Sequence, residues 1–236
     1  MRLALGGIVD IAEHSPDLAR LAEAHGPALD EIRALARSHD HSGPSTPQTI
    51  AAHFDRLAIT NPDLAVAAYS FGDPQLLAGF TREVVSVAAE WADIDGDVLD
   101  FGCGAGRVAA GLVGRAASVT GVDVSAQMLD IARTRVPEVH FVESDGHTLP
   151  FADAAFDLVL AVDSFPFLVQ TDAIGGQLDE IARVLRPNGR LLVFNWTYGD
   201  PTDIAGHIAA SPLALLRGPE RPFQRWDATA FLLAHR

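Results

Sequence analysis

Residues 98–107, VLDFGCGAGR, put an acid inside an apolar run and then place glycines on alternate positions. A short apolar run of this kind reads as a buried strand, and residues 107–113 beyond it as a helix, so the glycines fall in a strand-to-helix turn. At the carboxyl edge of a parallel sheet such a turn lays backbone directly against a ligand, because Gly102, Gly104 and Gly106 carry no Cβ. The stretch therefore commits the chain to strands joined by helical crossovers.

The rest of the sequence keeps that rhythm. Strands are predicted over 98–101, 118–124, 139–143, 156–162 and 190–196, with helices over 107–113, 126–135 and 173–185 between them. In the last helix Ile174, Leu178, Ile181 and Leu185 recur at helical steps, and RPNG stops it. Before residue 94 the pattern is helical. SPDLARLAEAHG opens a first helix from Ser15, and Leu29, Ile32, Leu35 and Ala36 line a second. The His-, Gly- and Pro-rich SHDHSGPSTP forms a linker, Pro47 opens a third helix, and residues 74–91 form a fourth. In the tail, 204–216 reads as helical despite Pro212, and PFQRW with TAFLLA reads as a closing antiparallel pair. The expected organisation is an N-terminal helical extension, 1–93, and an α/β core, 94–236.

Composition limits the partners. A chain of 236 residues with no lysine and a net charge of −14 is poorly suited to DNA or RNA, whose binding depends on clustered cations. No run approaches the roughly 18 apolar residues of a membrane span, and no basic leader with a cleavage site precedes the first helix. A cytoplasmic protein with a small-molecule partner is the expectation. Cys103 is the single cysteine, consistent with a reducing compartment. The Ala, Arg, Asp and Gly bias points to a GC-rich genome. His39 and His41 have ligand-like spacing but sit in the linker without a cysteine, and they read as solvated; no metal is expected.

Two cofactor classes compete for the glycine turn. A dinucleotide fingerprint wants G-x-G-x-x-G, with a pyrophosphate at the helix N-terminus. Here the spacing is G-x-G-x-G, and Asp100 precedes it as a charge that repels phosphate. At this point the chain resembles the class I S-adenosylmethionine-dependent methyltransferases, continuously from about residue 97 to 196. VLDFGCGAGR resembles that family's first motif, VTGVDVSAQMLDIAR its second strand and helix, and VHFVESDGHTLPF its third. FDLVLAVDSFPFL and LDEIARVLRPNGRLLVFNW resemble the fourth and fifth strand units. The resemblance implies a Rossmann-like fold with a mostly parallel seven-stranded sheet flanked by helices.

It also implies a site, residue by residue. Asp100, Gly102, Cys103 and Gly104 would form the cofactor loop, Asp123 with Val124 would hold the ribose hydroxyls, and Asp145 with Gly146 and His147 would meet the adenine. Met128 is open between adenine contact and core packing. Asp163, leaving the fourth strand, is the first candidate for orienting the acceptor or taking its proton. It is equally placed to touch the methionine part of the cofactor or to cap its turn. His147 is a second catalytic candidate, although a loop histidine offering only its backbone is the plainer reading. Tyr69 and Phe71 would close over the pocket from the N-terminal side or merely pack on the sheet, and Phe165 and Phe167 would face the substrate. The first two helices are open to a reading as a homodimer contact.

S-adenosylmethionine presents ribose hydroxyls, an amine and an α-ammonium, all donors suited to carboxylates. The reaction implied is methyl transfer to a small-molecule N, O, C or S nucleophile, releasing S-adenosylhomocysteine, in a setting such as bacterial secondary metabolism. The alternatives are a protein that binds the same cofactor for another purpose, such as cyclisation or decarboxylation, or for none, and, less favoured, a nicotinamide-dependent oxidoreductase.

Overall fold

In the computed structural model, which describes residues 45–197 and 204–236, three capped helices lead into the sheet. They are α1 (Pro47–Thr60), α2 (Pro62–Val66) and, after a 3-10 turn (Ala68–Ser70), α3 (Pro74–Trp91). Each starts alike: Thr46, Asn61 or Asp73 accepts a first-turn backbone N–H, and proline follows with no N–H to leave unpaired. The two helices expected before residue 45, His39, His41 and the dimer contact lie outside the described residues.

Strands and helices then alternate as β1 (Asp97–Phe101), α4 (Arg107–Leu112), β2 (Ser118–Asp123), α5 (Ala126–Arg135) and β3 (His140–Glu143). β4 (Phe156–Val162), α6 (Phe165–Gln170), α7 (Ile174–Val184) and β5 (Leu185–Phe194) follow, and α8 (Ile204–Ala210), β6 (Leu213–Glu220) and β7 (Ala230–His235) complete the order. The seven strands lie in the order β3-β2-β1-β4-β5-β7-β6. β1 to β5 run parallel, and β7 enters antiparallel between β5 and β6.

Both faces of the sheet are covered, which is why its central strands are predominantly apolar on both faces instead of alternating with polar residues. Leu99, Val159, Ala161, Leu191 and Val193 face α7 through Ile174, Leu178 and Ile181. Their neighbours in sequence, Val98, Leu158, Leu160 and Leu192, face α3 through Val84, Val85, Ala88 and Trp91. Strand order reverses between β1 and β4, so a crevice opens above their carboxyl ends. α1 and α2 lie along its rim, with Leu57, Ala58 and Val66 packed on Met128 and Ala105.

The structure differs from the expected elements in three places. β5 begins at Leu185, not at residue 190: Leu185 pairs with Phe156 and residues 186–189 bulge before Arg190 pairs with Leu158. The RPNG that stops α7 is therefore an interruption within a strand. Second, FPFLVQ forms the short helix α6, with Pro166 in its first turn and Ser164 before it making no side-chain cap bond. Third, the helix expected over 204–216 ends at Ala210, and Leu213–Glu220 is the edge strand β6. Pro212 ends the helix, and residues 213–220 pair with TAFLLA, whereas PFQRW forms no strand. Among the described residues no helix is long and apolar enough to cross a membrane.

Candidate functional site

β1 delivers the chain to the crevice, where Gly102 (φ +73°) and Gly104 (φ +50°) turn through the left-handed region. Glycine is required there by space as well as by φ. A Cβ on Gly102 would sit 2.4 Å from the Ser164 Cβ, and one on Gly104 would sit 2.7 Å from Val66 Cγ1. The loop is thus pressed between the end of β4 and the rim helices.

Two strand-end acids tie this loop down. Asp100 is almost fully buried, and its Oδ2 accepts the Ala109 N–H at 2.9 Å in the first turn of α4. Burial pushes its pKa up to about 7, against the opposing pull of that hydrogen bond and of Arg107. Asp123 accepts from Gly104 N at 2.7 Å and from Ser125 N at 2.9 Å, linking the end of β2 to the glycine turn. Burial raises its pKa too, and its backbone donors lower it. Cys103 is buried between them with its thiol pKa well raised by burial, so it is a small inert residue here.

The third acid is placed differently. Asp145 Oδ1 accepts from His147 N and Thr148 N, both at 2.8 Å, and these bonds hold its carboxyl below the ordinary range. It closes its own exposed turn, and neither Asp145 nor His147 lines the cavity described below. Gly146 does line it, fixed by Gln177 Nε2, which donates to its carbonyl at 2.9 Å, and covered by Pro47 of α1.

At the ends of β4 and β5 a second polar group assembles. Asp163 Oδ1 accepts from Asn195 Nδ2 at 2.6 Å, and Oδ2 accepts from the Tyr69 hydroxyl at 3.3 Å. Tyr69 in turn accepts from Arg107 Nη2 at 3.2 Å, and Arg107 Nη1 donates to Thr81 Oγ1 at 3.3 Å. Burial, above all, raises the Tyr69 pKa, so the phenol stays protonated. Its ring is held edge-on to Phe80 and tilted over Trp226.

These groups face one cavity of about 230 Å³, which brings together Asp100, Gly102, Cys103, Gly104, Asp123, Val124, Met128, Gly146 and Asp163. Tyr69 and Phe167 also line it, and Phe167 meets Phe54 of α1 edge-on at 5.2 Å. Phe71 and Phe165 do not. Phe165 is fully buried beneath the floor against Phe101 and Trp196, and Phe71 sits at the left-handed end of the 3-10 turn. Sequence reading missed Arg107, Asn195, His53 and Gln177 at this site. Asn195 stands one residue past an apolar strand, as Asp163 does, and that shared position was the available signal.

A parallel sheet of this order, with a glycine turn and acids converging on its switch point, defines the Rossmann-like methyltransferase class. Residues 99–193 match the family described as methyltransferase domain. The chain is 32% identical to the O-methyltransferase cnsE of Penicillium expansum over 70% of this chain and 63% of that protein. Among solved structures it is similar to a TehB-like SAM-dependent methyltransferase of Corynebacterium glutamicum, with TM-score 0.59, 20% identity, and 78% of this chain and 99% of that one covered. It is also similar to the [4+2]-cyclase SpnF, with TM-score 0.60, 20% identity, and 80% and 94% covered. Residues 99–193 thus carry a methyltransferase domain, on the fold that the chain shares with these solved structures. The chain spans between about a third and two thirds of the length of the curated relatives it matches.

Proposed function

We propose that this chain is an S-adenosylmethionine-dependent methyltransferase acting on a small-molecule acceptor, with S-adenosylhomocysteine as the second product. The observation that carries the reading is the shared wall of the cavity. The carboxylates of Asp100, Asp123 and Asp163 line it with Gly102 and Gly104, and Arg107 is the only Lys or Arg side chain among the lining residues. Such a wall suits a ligand rich in N–H and O–H donors and carrying positive charge, and it disfavours a pyrophosphate. S-adenosylmethionine fits that donor set.

Asp123 is assigned to the ribose hydroxyls, and Asp100 to the ammonium end. Val124, Met128 and Leu149 supply the apolar flank for the base, with Gly146 offering backbone. When bound, the cofactor supplies a methyl group on a sulfonium that leaves without acid assistance. What remains for the chain is alignment and exclusion of water. Phe54, Leu57 and Val66 bring apolar surface over the cavity from the rim, and Phe167 extends it at the acceptor side. Asp163 would orient an acceptor hydroxyl and take its proton; the likeness to a fungal O-methyltransferase supports oxygen as the atom methylated. The lysine-free composition fits a GC-rich source, for which secondary metabolism is the setting we propose.

Calorimetry with S-adenosylmethionine, S-adenosylhomocysteine and NAD tests the cofactor: the first two should bind, and binding of NAD alone would sink the assignment. Incubation with methyl-labelled cofactor and fractionated metabolite extract tests transfer. Label should appear in a small organic product, and binding without any transfer would favour the non-transfer alternative.

A further inference from the structure

β4 and β5 are adjacent parallel strands, and both leave the sheet through a non-glycine residue in the left-handed region: Asp163 at φ +59° and Asn195 at φ +66°. Backbone of that kind persists only where its surroundings enforce it. Here two backbone hydrogen bonds enforce it. Asp163 N–H donates to Phe194 O at 3.0 Å, and Asn195 N–H donates to Thr229 O at 2.8 Å, so both residues are pinned by neighbouring strand ends. The consequence of the two turns is that the side chains meet, with the Asn195 amide 2.6 Å from Asp163 Oδ1. Asn195 is itself only 9% exposed, and it is not a cavity-lining residue. Its amide acts on the cavity through the carboxylate.

We infer that Asn195 is a positioning residue: its amide fixes the Asp163 carboxylate in the orientation that faces the cavity. The inference rests on the proposed methyltransferase reading for what the carboxylate is used for, but not for the coupling itself. Other groups act on the same carboxylate. Tyr69 donates to Oδ2 from the 3-10 turn, and Arg107 on α4 backs Tyr69. Among the described residues, the remaining titratable side chains lining the cavity are Asp100, Cys103, Asp123 and His53. The plain competitor is that asparagine is present only because it tolerates the left-handed region better than most residues.

Asn195→Gly separates the two, because glycine accepts the same φ and removes only the amide. The Asp163 carboxyl should be followed by 13C NMR titration of the unliganded protein, its resonance assigned by loss in Asp163→Asn. Removing the donor should raise the midpoint by roughly half to one pH unit, and Asn195→Asp, equally tolerant of the backbone, should raise it further through like charge. Because Asp163 also lines the cavity that would hold the cationic cofactor, affinity for S-adenosylmethionine should fall by roughly three- to tenfold in Asn195→Gly, and the same change should add nothing in an Asp163→Asn background. A midpoint that stays put in both variants, or additive losses in the double variant, would overturn the inference. If the midpoint moves but the parent protein binds no S-adenosylmethionine, the coupling stands and the methyltransferase reading falls.

Discussion

Asp100 is a carboxyl whose charge the fold resists. Its ordinary value is near 3.8 and burial lifts it to about 7, so between those limits the folded chain holds a proton that the unfolded chain has lost. Stability of the unliganded protein should therefore fall as pH rises from about 4 to about 7 and level off above. The upper bound on this contribution is about 4 kcal/mol. Asp100→Asn should flatten that part of the profile, measured as melting temperature at pH 5 and pH 8; a profile unchanged by the substitution would remove Asp100 as its source. A cationic ligand beside this group should also expel the proton, so calorimetry near pH 7 in buffers of different ionisation enthalpy should register proton release. Asp123 acts through geometry more than charge. Asp123→Ala strands the buried Gly104 N–H and Ser125 N–H, and should lower both the melting temperature and S-adenosylmethionine affinity, the latter by roughly ten- to a hundredfold. Retained affinity would remove Asp123 from the site. Both acids were legible in the sequence because Asp100 interrupts, and Asp123 ends, an apolar strand that runs into a turn. Asp145 looked equivalent, but the serine, glycine and threonine around it make a turn that satisfies its oxygens locally. Arg107 was not legible as a site residue, because its meaning lies in contacts with Tyr69 and Thr81 from distant parts of the chain, and Asn195 offered only its place after an apolar strand.

The rim helices are held to the core by few polar contacts. Asp55 Oδ1 on α1 accepts the Ser125 hydroxyl at 2.6 Å and Gln127 N at 3.2 Å at the start of α5, and Asp63 pairs with Arg135 at 2.6 Å. The Asp63–Arg135 pair is solvent-accessible and contributes at most about 1 kcal/mol; hydrogen bonds to a charged group are worth roughly 1.5–3 kcal/mol. Asp55 is thus the stronger latch. Asp55→Ala should speed release of S-adenosylhomocysteine by roughly tenfold in a stopped-flow measurement and expose α1 to limited proteolysis, while the melting of the sheet shifts by no more than a few degrees. Unchanged release would make α1 a fixed wall. At this scale the sequence was most readable where local chemistry and packing agree. The prolines after Thr46 and Asp73 announced α1 and α3, and residues 156–162 gave β4 to the residue. It was least readable in β6, an edge strand whose LALLRGPE has neither clean alternation nor a hairpin turn. That segment becomes a strand because β7, paired on one side with β5, offers its other edge.

For the whole molecule, charge and topology point the same way. A net charge of −14 with no lysine surrounds a cavity whose own wall carries the carboxyl groups of Asp100, Asp123 and Asp163, and a cleft focuses such a field onto its ligand. S-adenosylmethionine carries one net positive charge at neutral pH, S-adenosylhomocysteine none, and a dinucleotide is an anion. The field should therefore favour the sulfonium form beyond what shared contacts provide, and part of that preference should be long-range and open to screening. Raising salt from about 0.02 to about 0.5 M shortens the Debye length from roughly 20 Å to roughly 4 Å, leaving the contacts in the wall and removing most of the field beyond it. Calorimetric affinity for S-adenosylmethionine should fall by roughly two- to fivefold across that range while that for S-adenosylhomocysteine holds nearly constant. Equal salt responses of the two ligands would confine discrimination to the cavity wall. An affinity for NAD that falls as salt rises would mean that the acids are not the groups the ligand meets.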